Sequence, residues 1–191
     1  MCSGEPVLVV AACEERRARQ LRGRLGGFAL CSWPALCREP SLAGSYAHVV
    51  ALDLPSCAAE DGLLRGGQGG WTAHLAWGEA ELGFTQDVLE HDHELRAGLA
   101  ALYRALRDAG EAPLDAVLRG AAAQPRSAAR AGRLLRVLLE LGLVELDRVA
   151  GSVAVPHAER TELEGSAAYR AYAARREAGL RWLTRPNARA A

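Results

Sequence analysis

Apolar positions recur along this chain with two different periods, and the change of period divides it. Residues 6–12, Pro-Val-Leu-Val-Val-Ala-Ala, are a continuous apolar run rich in β-branched side chains, the pattern of a strand covered on both faces. Residues 13–25 turn polar and helical. Glu14 and Glu15 come early and Arg22 and Arg24 late, an order that suits the helix dipole. Gly26-Gly27 stops the run. Residues 28–33 read as a second strand, 34–39 as one or two helical turns, 47–53 as a third strand closed by Pro55, 57–65 as a helix and 72–78 as a fourth strand. Strands alternating with helical segments predict a parallel sheet with crossover helices. The expectation for residues 1–86 is a small Rossmann-like α/β domain.

From residue 87 the period becomes helical. Leu95, Leu99, Leu102 and Leu106 fall at i, i+4, i+7 and i+11 and predict one long helix over 87–109, ended by Gly110. Pro113 opens a short helix over 114–119. Residues 127–141 are strongly amphipathic, with Leu134, Val137, Leu138 and Leu141 on one face and Arg133, Arg136 and Glu140 on the other. Gly142 ends that helix. Residues 143–146 and 152–155 then alternate around a turn at 148–151, which predicts a hairpin. Helix, short helix, amphipathic helix and two-stranded wing is the order of a winged helix-turn-helix. A last helix, over about 159–183, carries Tyr169, Tyr172, Leu180 and Trp182. The fold expected for 87–185 is a winged-helix-like α+β domain with a C-terminal helix, and 186–191 reads as a loose tail. No internal repeat is visible.

Composition narrows the chemistry. A length of 191 residues, half of them hydrophobic and 24% charged, suits one domain or two small ones with packed cores. Net charge is zero, yet all 23 basic residues are Arg. Without Lys there is no Walker A loop, no Schiff base and no kinase-type Lys. Charge is also unevenly placed: residues 1–90 hold 7 Arg against 11 acidic residues, net −4, and residues 91–191 hold 16 against 12, net +4. The five Cys, at 2, 13, 31, 37 and 57, are odd in number and lack CxxC spacing, which suits idle thiols in a reducing cytosol better than a zinc ribbon or a secreted disulfide scaffold. No basic-then-apolar leader is visible and no apolar run nears the ~20 residues of a membrane span, so a cytoplasmic location without membrane contact is expected.

Most motifs that suggest catalysis read more simply as structure. Gly66-Gly67-Gln68-Gly69-Gly70 is not a G-x-G-x-x-G fingerprint and serves better as a connection. The first strand-to-helix junction, Ala11-Ala12-Cys13-Glu14, has no glycine, and its two Glu would repel a pyrophosphate. Asp53 ends the third strand, where doubly wound folds place ligands, but without a second acid nearby it reads as a loop cap. Neighbouring positions on a helix point about 100° apart, so the two His of His91-Asp92-His93, two positions apart, cannot share a metal as an i, i+4 pair would. No G-x-S-x-G occurs and no Cys stands beside a base, so no catalytic residue, metal or small-molecule cofactor is expected. An enzyme built on the sheet would need a pocket joining Asp53, His74 and Glu79.

The Arg set is the strongest chemical signal. Residues 126–191 hold 12 Arg against 7 acidic residues, net +5. Arg130, Arg133 and Arg136 line the amphipathic helix, Arg148 sits in the wing, and Arg170 and Arg176 lie on the last helix. Arg binds phosphate bidentately, so these six are candidates for contact with nucleic acid or a protein partner. Tyr103 and Tyr169 are candidate stacking residues that read better as buried anchors.

Three stretches carry a resemblance. Glu94-Leu95-Arg96 through Leu102-Tyr103-Arg104-Ala105-Leu106-Arg107, then 133–144, then Arg160-Thr161-Glu162-Leu163-Glu164-Gly165-Ser166-Ala167-Ala168-Tyr169-Arg170 resemble the C-terminal region of RecJ, the single-stranded-DNA-specific exonuclease. Residues 73–79, Ala-His-Leu-Ala-Trp-Gly-Glu, fit the α/β part of the same region. The family's metal-binding Asp-His-His motifs and its glycine- and histidine-rich motif are missing from this sequence. The resemblance therefore implies an accessory module, a fragment or split product, acting in DNA repair and recombination without a nuclease centre of its own. Divalent metal is implied only for the absent core. The partners implied are single-stranded DNA, single-strand-binding protein or the catalytic core. The alternative is a free-standing winged-helix transcription regulator with an α/β sensor domain, which predicts a homodimer on duplex DNA.

Overall fold

The computed structural model describes residues 4–23, 26–65, 70–109, 113–121, 125–147, 149–157 and 161–185. It forms two compact units: residues 1–89 with 177–191, and residues 90–176.

The first unit is α/β. Its elements are β1 (Val7–Ala11), α1 (Glu14–Leu21), β2 (Phe28–Ser32), α2 (Trp33–Arg38), a 3-10 turn (Pro40–Ser45), β3 (His48–Ala51), α3 (Ala58–Arg65), β4 (Thr72–Leu75) and the greater part of α4 (Glu79–His93). The four strands form one parallel sheet in the order β2-β1-β3-β4. This is consistent with the Rossmann-like layer expected from the alternation of strands and helices. Val10 pairs with Cys31 on one side and Ala51 on the other. Successive side chains point to opposite faces, so Leu8, Val10, Cys31, Val49 and Ala51 share one face. Trp33, Leu36, Ala43 and Leu64 close over it as a buried core.

A second cluster in this unit joins Leu54, Leu82 and Leu89 to Leu183 of α8 (Ala167–Leu183), with Trp77, Leu180 and Trp182 against them. The expected division placed all of the last helix in the second domain. Here the described residues from 177 to 185 belong to the first unit, where Leu180, Trp182 and Leu183 pack.

The second unit contains α5 (Arg96–Asp108), α6 (Leu114–Arg119), α7 (Ala128–Glu140), the antiparallel hairpin of β5 (Glu145–Asp147) and β6 (Ser152–Ala154), a 3-10 turn (Leu163–Gly165) and most of α8. Leu95, Leu99, Leu102 and Leu106 meet Leu134, Val137, Leu138 and Val144, with Ala168 completing the buried set. Tyr103, Tyr169 and Tyr172 pack against this core half-buried, where Tyr103 and Tyr169 were expected as buried anchors. Gly142 terminates α7 at φ 66°. Its N–H donates to Leu139 O and that of Leu143 to Leu138 O, the paired bonds of a Schellman cap.

Three helix boundaries differ from expectation. α4 begins at Glu79, ahead of the helix expected from 87. The helix expected over 87–109 is two helices, α4 ending at His93 and α5 starting at Arg96. The break lets Leu82 and Leu89 serve one core and Leu95 onward the other. The last helix begins at Ala167, because Ser166 Oγ accepts the N–H of Tyr169 at 3.0 Å and fixes the N-terminus there.

Candidate nucleic-acid and partner-contact surface

Helix α7 is set by its ends and its apolar stripe. Ser127 caps it, its side chain accepting the Arg130 N–H at 3.1 Å. Ala131, Leu134, Val137 and Leu138 are buried, and Arg130, Arg133 and Arg136 are carried on other sides. Each of these three cations has a partner. Arg133 Nη1 donates to Asp92 Oδ2 at 3.0 Å and to Asp92 O at 3.5 Å, and this pair is largely shielded, with side-chain exposures of 19% and 22%. Arg130 Nη2 donates to Glu94 O at 3.4 Å, while its Nη1 is buried without a hydrogen bond. Burial lowers the Arg130 pKa, and the neighbouring cations Arg126 and Arg133 push the same way against Asp92 and Glu94. Arg126 in turn donates from Nη1 to Val117 O and Leu118 O, satisfying the C-terminal end of α6. The structure thus gathers Arg126, Arg130 and Arg133 around Asp92 and Glu94.

Arg136 is different: its side chain is 66% exposed, and Nε donates to Glu140 Oε1 at 3.1 Å across one helical turn. Glu140 is the pivot of this region. Its other oxygen accepts the Ala168 N–H at 2.8 Å and the Ser166 hydroxyl at 2.7 Å, tying the end of α7 to the start of α8. Those bonds, the backbone one foremost, hold the Glu140 carboxyl down to about 2 from 4.5. Arg170 donates to Glu164 O, and Arg176 Nε donates to Glu90 Oε2 at 2.6 Å. Arg148 lies outside the described residues. The spacing of Arg136 and Glu140 is legible in sequence as an i, i+4 pair. The acids facing Arg133 and Arg176 stand 41 and 86 residues away, so no local pattern announces them.

The sheet supplies the other polar constellation. Asp53 follows β3 at the carboxyl edge and is fully buried. Strand order reverses between β1 and β3, the switch point where open α/β sheets commonly take ligands. Here the Asp53 carboxylate already accepts the Ala12 N–H at 2.9 Å and the guanidinium of Arg17, and Trp33 Nε1 donates to Asp53 O at 3.2 Å. Asp53 is thus a cap joining β1, α1 and β3. His74 is bonded instead to His48, and Glu79 opens α4 on the surface, so the three residues of the enzyme alternative have separate surroundings. Asp92, from the His91-Asp92-His93 run, is the Arg133 partner, and His93 meets the edge of Tyr172 with ring centroids 6.3 Å apart. Burial, with Glu14 nearby, pushes the Cys31 thiol up to about 11, far from a reactive thiolate. Among the described residues no three His, Cys, Asp or Glu gather to hold a metal ion, and no helix is long and apolar enough to cross a membrane.

Compared with models of protein families, with curated proteins and with solved structures, the chain matches none.

Proposed function

We propose that this chain is the accessory C-terminal module of a RecJ-type single-stranded-DNA exonuclease, assisting the nuclease in DNA repair and recombination by engaging DNA or docking a partner in the cytoplasm. One observation carries the reading. The three stretches that carry the resemblance lie far apart in sequence, yet their apolar residues meet in one core: Leu95, Leu99, Leu102 and Leu106 from the first, Leu134, Val137 and Leu138 from the second, Ala168 and Tyr169 from the third. The repeated Leu of these stretches are thus the inside of one folded unit. Its order of elements, with α5 packed on α6 and α7 and the β5–β6 hairpin following, supports a winged-helix-like module.

Within that reading the five described arginines of the six candidates divide by how firmly they are held. Arg130 and Arg133 are partly buried and tie α7 to Asp92 and Glu94. Arg136 and Arg170 are exposed. Exposed ion pairs are weak and screened by salt, so a phosphate can compete with Glu140 for the Arg136 guanidinium. Arg176, less exposed, stands between these groups.

The test is fluorescence anisotropy of a labelled single-stranded oligonucleotide and its duplex across a salt series, with wild type and the R136Q/R170Q variant. The expected result is single-strand binding that weakens steeply with salt, with a slope shallower by roughly one per lost phosphate contact in the variant. Duplex preference with a dimeric chain overturns the module reading in favour of a regulator. If neither oligonucleotide binds at low salt, the DNA half fails, and binding to the purified exonuclease core or single-strand-binding protein then decides docking.

A further inference from the structure

A polar chain crosses one face of the sheet in the first unit. Glu5 Oε2 lies 3.1 Å from His48 Nε2, and His48 Nδ1 lies 3.0 Å from His74 Nε2. In the β3–β4 register His48 stands opposite Thr72 and Val50 opposite His74. The two His are therefore diagonal neighbours on one face, within reach across adjacent strands. Their rings are tilted by 57° with centroids 5.0 Å apart, so nitrogen meets nitrogen edge to edge.

Proton placement follows from the ends of the chain. A carboxylate only accepts, so His48 carries a proton on Nε2, and in the neutral ring its Nδ1 presents a bare lone pair. That lone pair faces His74 Nε2. We propose that His48 Nδ1 and His74 Nε2 are a chelating pair for a zinc-class divalent cation, with Glu5 as the carboxylate that orients His48. Two nitrogens bound at 2.0–2.1 Å to one tetrahedral ion are about 3.3 Å apart with both lone pairs aimed at it, so the metal is admitted when the pair opens slightly and each exposed ring turns by roughly 35°. On binding, His74 gives up its Nε2 proton to solvent and carries its ring proton on Nδ1, so the hydrogen bond between the rings is replaced by two nitrogen–metal bonds that converge beside it. Imidazole donors select zinc, copper or nickel over magnesium or calcium. A carboxylate behind a ligating His is the usual support of such sites. Every residue of β4 is exposed, so solvent reaches the pair, and water fills the remaining coordination positions. The site is an exchangeable one, separate from the DNA-contact reading of the second unit.

The test is a calorimetric titration of the chelator-stripped full chain with Zn2+, with 15N NMR of the His rings. Wild type is expected to bind one Zn2+ below millimolar concentration, moving the His48 Nδ1 and His74 Nε2 resonances, with no response to Mg2+. H74A, on the exposed edge strand, is expected to lose at least tenfold in affinity, and E5Q about 10–100-fold. H91A/H93A is expected to bind as wild type. Circular dichroism checks that H48A stays folded, and H74A keeps the test independent of that variant. Undiminished Zn2+ affinity in H74A, or no binding by wild type below millimolar, overturns the site.

Discussion

Removing the Asp53 carboxylate strands a shielded guanidinium, because Arg17 has no other acid in this bond set and its side chain is only 13% exposed. The Ala12 N–H loses its acceptor as well. D53A is therefore expected to cost about 3–5 kcal/mol, the penalty of breaking a buried pair from one side. Urea unfolding of the two chains measures it, and a loss under about 1 kcal/mol would refute the buried-pair account. Glu140 gives a pH prediction. Its folded pKa, about 2, lies below the ordinary 4.5, so the folded state favours the ionised form. The stabilisation is fully present above about pH 4.5 and is lost as pH falls toward 2. The Tm gap between wild type and E140Q should narrow steadily over that window. A gap that is constant from pH 5 to pH 2 would mean that the Ala168 and Ser166 bonds do not set the carboxyl.

At the scale of elements, Gly142 decides how α7 ends. Its positive φ is costly for any side chain, so G142A is expected to destabilise by about 1–2 kcal/mol, read from thermal unfolding. An unchanged Tm would show that the cap tolerates rearrangement. This stop was legible, since a glycine follows the last apolar-periodic residue. So were the strands, whose short apolar runs sit between breakers, and the helix from Leu114 behind Pro113. The gap between α4 and α5 was not legible: no Gly or Pro marks 94–95, and only tertiary structure reveals that Leu82 and Leu89 serve one cluster and Leu95 and Leu99 another. The start of α8 was readable from Ser166, but the acidic, helix-favouring run before it obscured the boundary. The start of α4 carried a signal of its own, Gly78 followed by Glu81, whose carboxylate accepts the Gly78 N–H at 2.9 Å. Of the contact surface, sequence showed which cations exist. It could not show that Arg133 and Arg176 face acids remote in the chain, nor that strand register sets His48 beside His74.

Across the whole molecule, the first unit is built from both ends of the chain. Leu183, fully buried, joins Leu54, Leu82 and Leu89. L183A is expected to cost about 2–5 kcal/mol and to act on the first unit, so amide exchange should accelerate in β1 and β3. Acceleration confined to α5 and α7 would place the residue in the wrong core. The same arrangement matters during synthesis. When Leu89 leaves the ribosome, the side chain that closes its cluster has yet to be translated. At about 5–20 residues per second, the 94 residues from Leu89 to Leu183 take roughly 5–20 s. For that interval Leu54, Leu82 and Leu89 lack the side chain that completes their cluster, while the second unit, contiguous from 90 to 176, has all the residues of its own core within that one span.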